Sequence, residues 1–177
     1  MDLPLRFRLR SIEEGARRYA IELSAAELGL PDGGGIEYLG PVAIDLEIVR
    51  SGEQVMARGE ARLRVRQGCV RCLQPVETDV RAEVSVVGRK PGEGESATDA
   101  ADGMIYHDGE SFDLAGEIRE VILLEIPANP LCRPDCAGLC PRCGADRNAG
   151  PCGCTETHAV DPRLAALEAL RRPPSER

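Results

Sequence analysis

The sequence predicts an α+β fold: an antiparallel β-meander packed with a helix, followed by a C-terminal cysteine-rich, zinc-ribbon-like segment. Three observations predict it. Apolar and charged residues alternate along three successive stretches between Ile44 and Val86, the period of strands half-buried in a sheet. Leu114, Ile118, Val121, Ile122 and Ile126 then recur at the spacing of one helix face. Finally, six of the eight cysteines fall between Cys132 and Cys154, grouped as close pairs.

Taken in order, Leu5 to Arg10 alternates apolar and basic residues and reads as a half-buried strand. Ser24-Ala25-Ala26-Glu27 has the reciprocal cap of a one-turn helix, stopped by Gly29 and Pro31. Gly33-Gly34-Gly35 is a loop, without the strand and lysine that a phosphate-cradling motif needs. In the meander, Ile44, Leu46 and Ile48 face the core, as do Val55, Ala57, Ala61, Leu63 and Val65. A two-residue turn at Ser51-Gly52 would pair Ile48 with Val55 and Asp45 with Arg58. The third strand, Val76 to Val86, places Cys69 and Cys72 in the connection before it.

Residues 88–103, rich in Gly, Ser, Ala and acids, read as a flexible acidic linker within a domain spanning 1–130. A short strand at Met104-Ile105-Tyr106 and a helix capped by Asp113 and ended by Pro127 complete that domain. Residues 131–177 form the cysteine-rich segment and a C-terminal helix opened by Asp161-Pro162.

Composition narrows the class. The core must be aliphatic, because the 177-residue chain has no tryptophan and only five other aromatic residues. The N-terminus lacks the continuous apolar run of a signal peptide and no stretch is apolar enough to span a bilayer, so we expect a cytoplasmic protein with no membrane partner. The net charge of −8 is localised: residues 91–120 hold nine acids against Arg119, and the remainder balances at 21 against 21.

In a reducing compartment, clustered cysteine pairs read as metal ligands. Cys69/Cys72, Cys132/Cys136, Cys140/Cys143 and Cys152/Cys154 supply two tetrahedral four-thiolate zinc sites with nothing left over. Joining Cys140/Cys143 to Cys152/Cys154 closes the shorter loop, leaving Cys69/Cys72 with Cys132/Cys136. The other division, with Cys132, Cys136, Cys140 and Cys143 on one ion, would force Cys69/Cys72 to find Cys152/Cys154. Arg71, Arg133, Arg142 and Arg147 stand beside ligands and can offset the thiolate charge.

These residues carry a resemblance. The Cys69-Val70-Arg71-Cys72-Leu73 motif, the acidic linker, Phe112-Asp113-Leu114, the block from Pro130 to Gly144 and Asp161-Pro162-Arg163-Leu164 are similar to the YceD family of large ribosomal RNA subunit accumulation proteins. The resemblance runs from about residue 40 to 172 and implies a factor needed for normal 23S rRNA levels.

Closed cysteine sites are structural, whereas catalytic zinc keeps an open position, and His107 and His158 read as turn residues rather than ligands. A non-enzymatic role follows, and two forms of it are open. The protein binds ribosomal RNA or a large-subunit assembly intermediate through Arg62, Arg64 and Arg66, with Arg6, Arg8 and Arg10 as a second ladder. Lacking an aromatic platform, it would meet phosphate rather than bases. Alternatively the zinc ribbon is an adaptor for a ribosomal or transcription protein without RNA contact. The strand arginines also have a purely structural reading, as cross-strand partners of nearby carboxylates.

Overall fold

The computed structural model describes residues 5–12, 14–92, 104–154, 163 and 167. It divides into two compact units, Met1–Cys136 and Ala137–Arg177, so Cys132 and Cys136 belong to the first.

The first unit is built on two long strands, β5 (Gln54–Gly68) and β6 (Pro75–Arg89), paired antiparallel from Val55↔Gly88 to Gly68↔Pro75. β4 (Val42–Ser51) lies against one half of β5, and β3 (Ile36–Tyr38) takes the same side further along, where Tyr38 meets Val65. β2 (Gly15–Leu23) pairs with β4, and β7 (Met104–Tyr106) adds to the far side of β6 in parallel. The six-stranded sheet thus runs β2-β4-β5-β6-β7, with β3 beside β5. A separate ribbon pairs β1 (Arg6–Arg8) with β8 (Ser111–Asp113), and α1 (Ala115–Glu125) follows.

The alternation read from the sequence sets the buried face. Ile44, Leu46 and Ile48 of β4, Val55, Ala57, Ala61, Leu63 and Val65 of β5, and Val80, Ala82, Val84 and Val86 of β6 are all buried. Phe112 and Leu114 join them with α1 residues Ile118 and Ile122, so one side of the sheet is covered by the helix and its approach. Ile126 ends the helix in an extended conformation, as expected of a residue that precedes proline.

Several expectations are corrected. The β4–β5 pairing is offset by two residues: Ser51 faces Gln54, and Ile48 faces Ala57. Gly52 has φ 59° and occupies the first central position of the turn with Glu53 second, the place a type II′ turn reserves for glycine. A two-residue offset preserves which face each side chain takes, so the core assignment survives it. Asp45 consequently meets Arg62, while Arg58 lies opposite Glu47.

The first strand ends at Arg8 rather than Arg10, because Ser11 Oγ donates to Arg8 O (2.7 Å) and Arg50 Nη1 donates to Leu9 O (2.5 Å) and Ile12 O (3.0 Å), holding Leu9–Ser11 in a 3₁₀ turn. Gly88 and Arg89, expected in the linker, belong to β6; residues 93–103 of that linker lie outside the described residues. Asp113 is still in β8, and its carboxylate accepts the Ala115 N–H (2.9 Å) while Leu114 takes the cap position. The C-terminal helix falls outside the described residues except for Arg163 and Leu167.

The Ser24/Glu27 reciprocal cap is present: Ser24 N–H donates to Glu27 Oε2 (2.8 Å) and Glu27 N–H to Ser24 Oγ (3.2 Å). Leu30 N–H then reaches back to Ala25 O, closing the turn around Gly29 at φ 71°. His107 is buried rather than a simple turn residue. Gly109 N–H donates to its Nδ1 (3.1 Å), which leaves Nε2 protonated to donate to Glu53 O (2.7 Å) and tie the β4–β5 turn to the segment before β8.

Two glycines mark close approaches. A Cβ at Gly59 would stand 1.9 Å from Asp45 O, and one at Gly88 would stand 2.1 Å from the ring of the fully buried Phe112. Gly59→Ala and Gly88→Ala are each expected to destabilise the chain by about 1–3 kcal/mol through overpacking. Gly116→Ala, whose Cβ meets nothing within 4 Å, should cause no loss. Urea melts of the three variants check this; wild-type midpoints for the first two would contradict the packing described.

Candidate metal centres

β5 and β6 are joined by six residues, Cys69–Gln74, and this hairpin loop is itself the first cysteine knuckle. Cys69 N–H donates to Gln74 O (2.8 Å) and Leu73 N–H to Cys69 O (2.9 Å). Val70 N–H donates to Pro130 O (3.0 Å), so the segment following α1 is laid against the knuckle and brings Cys132 and Cys136 with it. Arg71 Nη1 donates to Cys136 O (2.8 Å) from the other pair.

The four sulfurs lie within 4.8 Å of one another. Cys69 and Cys136 Sγ are 3.9 Å apart, and Cys72 and Cys132 Sγ 3.6 Å. A tetrahedral zinc with sulfur ligands at about 2.3 Å has sulfur–sulfur edges of about 3.8 Å. A disulfide, by contrast, needs about 2.05 Å. The spacing therefore fits a shared ion, and the donor set fits a soft or borderline one.

The second unit repeats the device. Gly144 N–H donates to Cys140 O (2.9 Å) and Cys140 N–H to Ala145 O (2.8 Å), with Leu139 bridged to Asp146. Asn148 Oδ1 accepts the Ala137 N–H (2.8 Å), and Asp146 Oδ1 accepts the Asn148 N–H (2.9 Å), which shapes the return of the loop. Cys140, Cys143, Cys152 and Cys154 gather within 4.8 Å. The structure thus groups the eight cysteines in the division with the shorter loop closure.

Protonation shows why a cation suits these clusters. The Cys132 backbone amide, with those of Cys72 and Arg71, draws Cys69 down to about 6, while the Cys72 thiol, with burial and the other sulfurs, pushes Cys132 up to about 12. In the second group the Cys143 and Arg142 amides lower Cys140 to about 6, and the neighbouring Cys143 sulfur raises Cys154 to about 12. One thiolate forms readily in each group and the next ones are repelled by it. A divalent ion removes that repulsion.

Residues 57–171 match the family described as Large ribosomal RNA subunit accumulation protein YceD, a span that includes all eight cysteines. The chain belongs to the YceD family. An uncharacterized protein of Mycobacterium tuberculosis is 32% identical over 133 residues, covering 75% of this chain and 63% of that protein. A maize chloroplastic protein, named as a YCED homolog 1 for large ribosomal RNA subunit accumulation, is 29% identical over 73% of this chain and 55% of its own length. Its Arabidopsis thaliana counterpart is 25% identical over 64% of this chain and 44% of its own length. The YceD chain thus spans less than two thirds of the length of these relatives. No solved structure matches it.

The arginines of this YceD member divide by environment. Arg66 bonds Glu37 (3.0 Å) and Glu77 (2.7 Å), Arg64 bonds Asp79 (2.8 Å), and Arg62 bonds Glu60 (2.7 Å) and Asp45. Arg62 turns toward β4 because its β6 neighbour is Arg81, a like charge. Arg6, Arg8 and Arg10 line a cavity with Glu110 and Ser111, and Arg6 stands opposite Asp113 in the β1–β8 ribbon. Sequence reading missed Glu110, Ser111 and the Pro130 and Gln74 carbonyls, none of which carries a local pattern; only the fold brings them to these sites.

Metal binding by either group must displace protons from thiols such as Cys132 and Cys154, raised to about 12, whereas Cys69 and Cys140 lose theirs near 6, so affinity should rise with pH throughout the range from about 6 to 12 and fall more steeply below about 6, where protons compete at every thiol. Titration of metal-free protein with zinc in weakly buffered solution should acidify it. Binding without proton release would rule out thiolate coordination.

Proposed function

We propose that this protein is a non-enzymatic zinc-binding factor of the cytoplasm that supports 23S rRNA accumulation by binding ribosomal RNA or a large-subunit assembly intermediate. The observation carrying this reading is the family match over residues 57–171, which coincides with the two four-thiol groups. Four sulfurs around one ion leave no open position for a substrate or an activated water, which supports a structural role for both ions. Among the described residues no helix is long and apolar enough to cross a membrane. The second group, on a short hairpin, serves as a zinc ribbon.

An adaptor role toward a ribosomal protein is favoured by one separate observation. The first knuckle exposes apolar side chains at its tip, with Val70 51% and Leu73 70% accessible. Both readings put the protein on an assembling large subunit.

Two tests apply. Purified protein should hold two zinc ions; Cys69→Ser with Cys72→Ser should remove one and loosen the first unit, whereas Cys152→Ser with Cys154→Ser should remove the other and leave the sheet intact. Elemental analysis and hydrogen exchange read the outcome, and zero metal in protein with free thiols would end the zinc assignment. In cells, the protein should co-sediment with precursor particles rather than mature ribosomes, and its loss should lower 23S relative to 16S rRNA; unchanged rRNA ratios would refute the functional reading.

A further inference from the structure

We infer that the outer edge of β2 is an interaction surface for a second copy of this chain, the two β2 strands pairing antiparallel with Arg18 opposite Glu22 of the second copy and Ala20 opposite itself. The inference goes beyond the proposed function. It draws nothing from the family, because Gly15–Leu23 lies outside the matched span.

β2 is the last strand on its side of the sheet and pairs with β4 from Gly15↔Arg50 to Leu23↔Val42. A strand directs its backbone groups alternately to its two sides, so β4 takes one set and the other set faces outward. Among the described residues, no backbone group outside β4 bonds that outward set. The strand is open to water, with Ala16, Arg18, Ala20 and Glu22 all exposed. Edges are commonly kept from pairing by shortness, proline or a bulge. β2 has none of these: it is nine residues long against three in β7 at the opposite edge, contains no proline, and meets β4 residue for residue. Its charges remain, and their arrangement decides what the edge accepts.

Pairing of the edge with itself is restricted by backbone and face together. Outward-facing residues must meet outward-facing residues, and the core side must stay on one face of the joined sheet. Tyr19, Ile21 and Leu23 share the face of Leu46, Ile44 and Val42, whereas Arg18, Ala20 and Glu22 take the other. Both conditions therefore require odd-numbered residues to meet odd and even to meet even. Centring the pair on Arg18 sets that arginine against itself, and centring it on Tyr19 leaves Arg18 against Ala20. Centring it on Ala20 sets Arg18 against Glu22 on both sides of the two-fold axis and Tyr19 against Ile21. Both charges can respond: Glu22 forms no ion pair among the described residues, and Arg18 reaches Glu47 only at 3.5 Å with its side chain 89% exposed. Tyr19 and Ile21 pack on the core yet stay half-buried, so pairing covers apolar surface that a lone edge leaves wet. The overlap, Arg17 to Leu23, is short for a permanent dimer and fits a reversible one.

The test uses zinc-loaded full-length protein in sedimentation equilibrium at micromolar to submillimolar concentrations, where wild type should move reversibly between monomer and dimer. Glu22→Arg sets arginine against arginine twice and should weaken the dimer at least about tenfold. Adding Arg18→Glu to it restores opposite charges and should recover association to within about threefold of wild type. Register is read separately. Ala20→Cys would bring its thiol within about 6 Å of the same thiol in the second copy, so a short bis-maleimide should join the two chains. Ala16→Cys, which falls beyond the overlap, should stay single, and wild type gives the background of the eight native thiols. A monomer at every concentration overturns the inference and leaves this edge to a different chain. A dimer that ignores Glu22→Arg, or that crosslinks through Ala16→Cys and not Ala20→Cys, overturns it too. Failure of the double variant to recover does the same where its melting and zinc content match wild type; where they do not, Ala20→Cys decides, its crosslink sustaining the inference and the lack of one ending it.

Discussion

The gathering of Cys69, Cys72, Cys132 and Cys136 is the constraint on which the first unit depends. It joins the turn of the longest hairpin to the segment leaving α1, across 59 intervening residues. Closing a loop of that length costs chain entropy that four mutually repelling thiols do not return by themselves. A metal bound only by the folded arrangement adds its binding free energy to folding, and so it couples the sheet, the helix and the chain beyond it. The amide-stabilised thiolate of Cys69 gives such an ion a first anchor.

The two knuckles show how much of this geometry belongs to the backbone. Both return a hydrogen bond from the fifth residue to the first cysteine's carbonyl, and both place that fifth residue in the left-handed region, Leu73 at φ 63° and Gly144 at φ 72°. Glycine adopts that conformation freely, whereas an L side chain there costs about 1–2 kcal/mol. Leu73 is tolerated because its neighbours leave no choice: β5 and β6 enter the loop in fixed register, and the Cys69–Gln74 and Val70–Pro130 bonds hold both sides. Its side chain points into solvent, so the strain is not repaid by burial.

Charge is organised on the same principle of local satisfaction. The acidic excess sits in residues 91–120, leaving the rest of the chain balanced. On β5 the balance is struck pair by pair, with Glu37, Asp45, Glu60, Glu77 and Asp79 standing beside arginines. At β1 the arginines meet the acidic segment itself, with Arg6 opposite Asp113 of β8 and Arg10 lining a cavity with Glu110. Net charge alone is therefore a poor guide to what this surface attracts.

Much of the architecture was legible in local pattern. Alternation between Ile44 and Val86 identified the three central strands and their buried faces, because side-chain period in a strand is two and survives any even offset of register. Helical spacing found α1, and close cysteine spacing found all eight candidate ligands. Pairing register, by contrast, was decided by the turn: glycine at position 52 suits the first place of a type II′ turn, which moved Asp45 from Arg58 to Arg62. β2 and β8 were not foreseen, since neither makes sense without the strand it completes. The fate of the arginines was likewise tertiary. Arg6 and Arg66 each stand in an alternating segment; one bonds a serine hydroxyl and the other two carboxylates, because partners contributed by distant strands, and not the local sequence, determine what each guanidinium meets.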